Sequence, residues 1–199
     1  LVIADINMPE MTGSELFSTI KKDRRYENIS FIFITAETTK EVVAKVAEEG
    51  ADEYLIKPFV LNTLEVKITK VLNKKYNPSE FEQYLLNFKR HLDKKALKEA
   101  EEYLSKAAMI APDSAVIAYN SGLFSLAAGD AQKAIVFFKD AINKKPMFVK
   151  AYNSLGEIYE NMGDTDSALK YYEKAREISP ASTDRLITLS KIYTTKGET

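Results

Sequence analysis

The chain has no cysteine and no tryptophan, and its only histidine is His91. Without thiols there is no disulfide framework, no thiolate metal centre and no cysteine nucleophile. One imidazole excludes a multi-histidine metal site and leaves a Ser-His-Asp hydrolase resting on His91 alone. An excess of charge of one sign is also missing: 28 Lys and Arg stand against 29 Asp and Glu, a net charge of -1. Binding to nucleic acid or acidic membranes needs clustered cations, so neither partner is expected. Long apolar runs are absent too. The longest stretch without a charged residue, Ser114 to Gly129, contains Asn120, two Gly and three Ser, and falls short of the ~18 apolar residues of a membrane span. No basic-then-apolar leader pattern opens the sequence, and the expectation is a soluble, cytoplasmic protein.

Glycine and proline are scarce, at seven and six residues, yet several of them are periodic. Pro112, Pro146 and Pro180 are 34 residues apart. The same step relates Ala100, Ala134 and Ala168, then Ala107, Ala141 and Ala175, then Gly122 and Gly156, then Gly129, Gly163 and Gly197. A fixed period of this length marks a stacked repeat. Each unit reads as two amphipathic helices, for instance Val149 to Met162 and Thr165 to Ile178, with small residues where helices approach and Tyr152, Leu155, Tyr159, Leu169 and Tyr172 as apolar filling. The unit AYNSLGEIYENMGDTDSALKYYEKAREISP resembles the tetratricopeptide (TPR) family. The resemblance implies an all-α solenoid over residues 81–199: repeats at 81–114, 115–148 and 149–182, and a partial or capping unit at 183–199. The first repeat departs from the pattern by putting Phe88 where a glycine is usual.

Residues 1–76 have another rhythm. Leu1 to Ala4, Ile29 to Ile34 and Glu53 to Ile56 are short apolar runs rich in β-branched and aromatic residues, alternating with helical segments near Ser14 to Arg24, Thr39 to Glu49 and Leu61 to Lys75. That alternation predicts βα units and a parallel sheet. Charge does not divide the chain, with 12 acids against 11 bases up to residue 77 and 17 of each beyond.

Ligands and reacting groups gather at the carboxyl ends of strands in an open parallel sheet. Asp5, Thr35 and Lys57 stand at the three predicted ends. A carboxylate, a hydroxyl and an ammonium meeting on one edge suit phosphoryl transfer to an aspartate: the carboxylate attacks, and the other two hold the transferred oxygens. ADINMPEMTG, FIFITAE and ADEYLIKPF resemble the receiver domain of two-component response regulators. The resemblance implies a flavodoxin-like parallel sheet with Asp5 as phosphoacceptor, Pro9 and Gly13 in the adjoining loop, Thr35 as switch hydroxyl, Lys57-Pro58-Phe59 as the lysine motif with a cis Lys-Pro bond, and Tyr54 as aromatic switch. It also implies a sensor histidine kinase as donor, and Mg²⁺ held by Asp5, the backbone carbonyl of Asn7 and an acidic pair that follows the family's first strand. The chain opens at the equivalent of strand 3, so strands 3 to 5 are expected and that acidic pair is not among these residues. The expectation is therefore a piece of a longer protein that does not bind Mg²⁺ alone and self-associates through Leu1 to Ala4, an exposed apolar edge.

The TPR half contains no catalytic constellation, and the reading is a signalling adaptor rather than an enzyme. By family register the concave face carries Leu85 and Lys89, then Tyr119, Leu123 and Leu126, then Asn153, Glu157 and Asn161. It lacks a carboxylate-binding Lys/Asn set and suits an amphipathic or basic protein segment. Two alternatives remain open: a non-phosphorylated TPR scaffold with a degenerate receiver, and, more remotely, a haloacid dehalogenase-like phosphatase. The latter needs a second acid where Asn7 stands.

Overall fold

The computed structural model describes residues 1–26, 28–36, 48, 50–180 and 182–196. The helix expected at Thr39 to Glu49 and the last periodic glycine, Gly197, fall outside the described residues but for Glu48. The chain divides into two compact units, Leu1–Asn77 and Pro78–Thr199. No described helix is long and apolar enough to cross a membrane.

The first unit holds β1 (Val2–Asp5), α1 (Gly13–Lys22), β2 (Phe31–Thr35), β3 (Glu53–Ile56) and α2 (Leu61–Tyr76). The strands form a parallel sheet in the order β1-β2-β3, with Asp5 opposite Ile34 and Thr35 opposite Ile56. The middle strand reads FIFIT without polar alternation because both of its faces are covered. Phe31 and Phe33 point to one face, where Phe17 of α1 meets Phe31 edge-on at 5.1 Å. Ile32 points to the other, against Leu55 and Val71 of α2. Each fully buried aromatic or aliphatic side chain contributes ~1.5 to 3 kcal/mol, so this three-layer arrangement fixes the strand ends on which the polar residues stand. Thr12 and Glu15 start α1 with a reciprocal capping box.

The second unit is helical: α3 (Glu80–Asp93), α4 (Leu97–Ile110), α5 (Ala115–Ala127), α6 (Ala131–Lys144), α7 (Val149–Asn161), α8 (Thr165–Ile178) and α9 (Thr183–Lys196). Caps repeat with the period: Asp130 and Asp164 each accept a backbone N–H three residues on. The periodic alanines occupy the interior, since Ala100, Ala134, Ala168, Ala107, Ala141 and Ala175 are all fully buried. Successive helix pairs share cores, with Ala118, Phe138, Ala151 and Leu155 in one cluster and Tyr172, Leu189 and Ile192 in the next. His91 stacks on Tyr103 with ring centroids 5.3 Å apart, a packing role. The molecule is thus a receiver-like parallel sheet with helices followed by a TPR-like solenoid.

Candidate functional site

Strand register puts the three polar residues together. Asp5 is level with Ile34, Thr35 is one residue further on, and Lys57 follows Ile56, the partner of Thr35. The Lys57 ammonium spans the end of β2 to ion-pair with Oδ2 of Asp5. The other carboxylate oxygen accepts the Asn7 N–H at 3.0 Å. Both contacts stabilise the anion. The Lys57 hydrogen bond, then the Asn7 N–H, hold the Asp5 carboxyl below its ordinary value of 3.8 against a small opposing effect of burial. Asp5 therefore stands ionised at neutral pH. Its side chain is 27% exposed and open to an incoming group, whereas Thr35 is 1% exposed.

The loop that follows β1 is held against Asp5. Gly13 donates its N–H to the Ile6 carbonyl at 2.9 Å, and a Cβ at Gly13 would come within 2.3 Å of the Asp5 carbonyl oxygen. Only glycine lets α1 begin this close to the strand end. The Lys57-Pro58 peptide bond is cis.

Tyr54 is half-buried beside the Phe17–Phe31–Phe33 cluster, and the Lys67 ammonium lies 5.0 Å from its ring centroid. Lys67 and Lys70 also pair with Glu53, at 3.1 and 2.7 Å. Tyr54, Pro58, Phe59, Val60, Thr63 and Lys67 line a cleft of 380 Å³. Sequence reasoning did not find the Glu53, Lys67 and Lys70 set. The three-residue spacing of the lysines was visible, but a strand-start acid facing them is a tertiary contact without local signature.

The described residues contain no group of three or more His, Cys, Asp or Glu able to hold a metal ion. One oxygen each from Asp5 and the Asn7 carbonyl would leave a cation short of the near-octahedral shell of Mg²⁺.

In the helical unit, Tyr119 and Leu123 are half-buried against the second-repeat core, and Leu85 against the first. Lys89, Leu126, Glu157 and Asn161 are exposed. Asn153 accepts from Arg185 at 3.3 Å.

Comparison with known proteins follows this division. The response regulator receiver domain family matches residues 1–84, and the tetratricopeptide repeat family matches residues 149–182. The chemotaxis protein CheY of Pseudomonas aeruginosa is 32% identical over 73 residues, 37% of this chain and 59% of that protein. CheY-3 of Vibrio cholerae is 34% identical over 73 residues, 37% of this chain and 56% of its own length. The chain thus spans less than two thirds of these relatives. Two crystal structures of MamA are similar to it: one with a TM-score of 0.52 and 25% identity over 69% of this chain and 83% of the other, one with 0.51 and 28% over 67% and 72%. The chain thus joins a response regulator receiver segment, matched over residues 1–84, to tetratricopeptide repeats, matched at residues 149–182.

Proposed function

We propose that the protein is a two-component response regulator in which phosphorylation of Asp5 controls a protein-binding TPR module. The observation that carries this reading is the meeting of Asp5 with Lys57 across the end of β2, where Thr35 also stands. A histidine kinase is the proposed donor. Its phosphohistidine P–N bond breaks as the Asp5 Oδ–P bond forms, and the released imidazole takes up a proton. Lys57 then exchanges the carboxylate for a phosphoryl oxygen, and Thr35 gives a second contact. Lys57 already holds the Asp5 carboxylate, so the Thr35 contact is the new one, worth ~1.5 to 3 kcal/mol, about a tenfold to 150-fold bias on a two-state face that includes Tyr54 and the cleft beside it. The receiver segment is assigned to residues 1–76 and the output to repeats at 81–114, 115–148, 149–182 and 183–199. The protein acts as an adaptor, without turnover of an external substrate.

The test is labelling by a small acyl phosphate of the full protein that contains these residues. Asp5→Asn abolishes the label, and a label that persists overturns the assignment. The burial of Thr35 favours one second reading, a scaffold whose receiver part serves only as a docking surface. Partner binding that ignores phosphorylation identifies that case.

A further inference from the structure

The 34-residue period repeats one helix face along the second unit, and two neighbouring copies of that face differ in chemistry. On α5 it carries Val116, Tyr119, Leu123 and Leu126 at spacings of three and four, an apolar stripe whose ends are exposed, Val116 at 37% and Leu126 at 36%. On α7 the equivalent positions are Lys150, Asn153, Glu157 and Glu160. The two faces adjoin, because Tyr119 packs against the core cluster that includes Ala151 and Leu155 of α7, and its hydroxyl lies within electrostatic reach of Glu157. Glu160 accepts the Tyr172 hydroxyl at 2.8 Å. Glu157 has no hydrogen-bond or ion-pair partner among the described residues, and Lys191, one repeat further on, makes no ion pair with it. Partial desolvation, then the Glu160 carboxylate, push its carboxyl above the ordinary range. An exposed apolar stripe therefore runs into an acid that no described residue pairs with.

We propose that the α5–α7 face binds a segment of a partner protein that sets an apolar side chain on Leu123 and Leu126 and a Lys or Arg side chain against Glu157 and Glu160. This deepens the reading of the helical unit as a protein-binding module and rests on it. Charge complementarity selects the occupant: an acidic segment would bring a third carboxylate to Glu157 and Glu160, while a basic one supplies the missing counter-ion. An apolar residue a few positions away on the same segment removes the Leu126 stripe from water.

The experiment is selection of random dodecapeptides displayed on phage against the full chain, followed by affinity measurement of one enriched peptide. The expected consensus pairs aliphatic or aromatic residues with Lys or Arg. Its affinity falls about tenfold both in Glu157→Gln with Glu160→Gln and in Leu126→Gln, and weakens with added salt. Circular dichroism verifies that the variants are folded, and Gln at Glu160 can still accept the Tyr172 hydroxyl. Enrichment of acidic peptides, or peptides lost in Leu126→Gln but indifferent to the paired Gln variant, overturns the basic partner and leaves the module reading intact. No enrichment, or peptides indifferent to both variants, overturns the module reading as well. A concentration-dependent dimer abolished by Leu126→Gln assigns the face to a second copy instead, which also overturns the proposal.

Discussion

Tyr172 lays its ring so close to Gly156 that a Cβ there would stand 2.6 Å from ring atom Cε1. One repeat earlier Phe138 stands in the same way over Gly122, at 2.5 Å. Another 34 residues back the partners are exchanged in size: Phe88 replaces the glycine and Leu104 the aromatic ring, both buried in one cluster. The apparent defect of the first repeat is thus a volume-conserving swap across a helix pair.

Gly156→Ala is expected to destabilise the helical unit by ~1 to 3 kcal/mol through overpacking, outweighing the ~0.5 to 1 kcal/mol gained in helix propensity. The Tyr172 ring cannot yield, being 4% exposed and tied to Glu160. Gly156→Phe alone is more damaging, and adding Tyr172→Leu to copy the first repeat recovers most of the loss, a non-additivity typical of residues in contact. Urea denaturation of the singles and the double measures it; additive losses would refute the exchange.

Lys95 occupies the first-repeat position equivalent to Gly129 and Gly163. It has φ 57 where they have 83 and 76. A left-handed backbone costs a non-glycine residue roughly 1 to 2 kcal/mol. Lys95→Gly is therefore expected to stabilise the protein by about 1 kcal/mol, less the unfolded-state entropy of glycine. Gly129→Ala should do the reverse although no atom lies within 4 Å of its Cβ. Thermal melts of the two variants should move in opposite directions.

These two cases show what the sequence made legible. Period, helix pairs and the interior alanine columns were readable because stacking repeats one contact set every 34 residues. Glu53 to Ile56 was readable as a strand to the residue, while the strand read at Leu1 to Ala4 is shifted by one to Val2–Asp5, since Asp5 continues the ladder opposite Ile34 and polarity alone ended the reading. Asp5, Thr35 and Lys57 were legible as strand-end residues because they punctuate apolar runs. Size exchange between Phe88 and Leu104, the left-handed Lys95 and the pairing of Glu53 with α2 were not, because each depends on a partner across the fold.

The Asp5 carboxyl, held below 3.8 by Lys57 and the Asn7 N–H, gives the first unit a defined pH response. A depressed folded value means that the pair's stabilisation is complete above the ordinary carboxylate value and is lost as pH falls through the lowered one. Lys57→Met removes the larger of the two causes. A carboxyl-carbon NMR titration should place the Asp5 midpoint below 3.8 in the native chain and higher in Lys57→Met; equal midpoints would show that the ion pair has no hold on Asp5 in solution.

Glu53 and its two lysines respond unequally to substitution because they are unequally buried. The Glu53 side chain is 9% exposed, Lys67 26% and Lys70 70%. Burial pushes the Glu53 carboxyl up, and the hydrogen bonds from Lys70, the Tyr54 N–H and Lys67 outweigh it, so the group is held below its ordinary value. Glu53→Gln leaves cations that can turn to water and should cost no more than about 1 kcal/mol. Lys67→Met with Lys70→Met strands a buried carboxylate and should cost about 3 kcal/mol at neutral pH. In that double variant desolvation is no longer opposed by cations, the folded Glu53 value rises above the unfolded one, and the loss shrinks as pH falls and the group takes up a proton. Chemical denaturation at neutral and acidic pH separates the two; a loss independent of pH would mean that the lysines act only through their aliphatic packing, including the Lys67 contact with Tyr54.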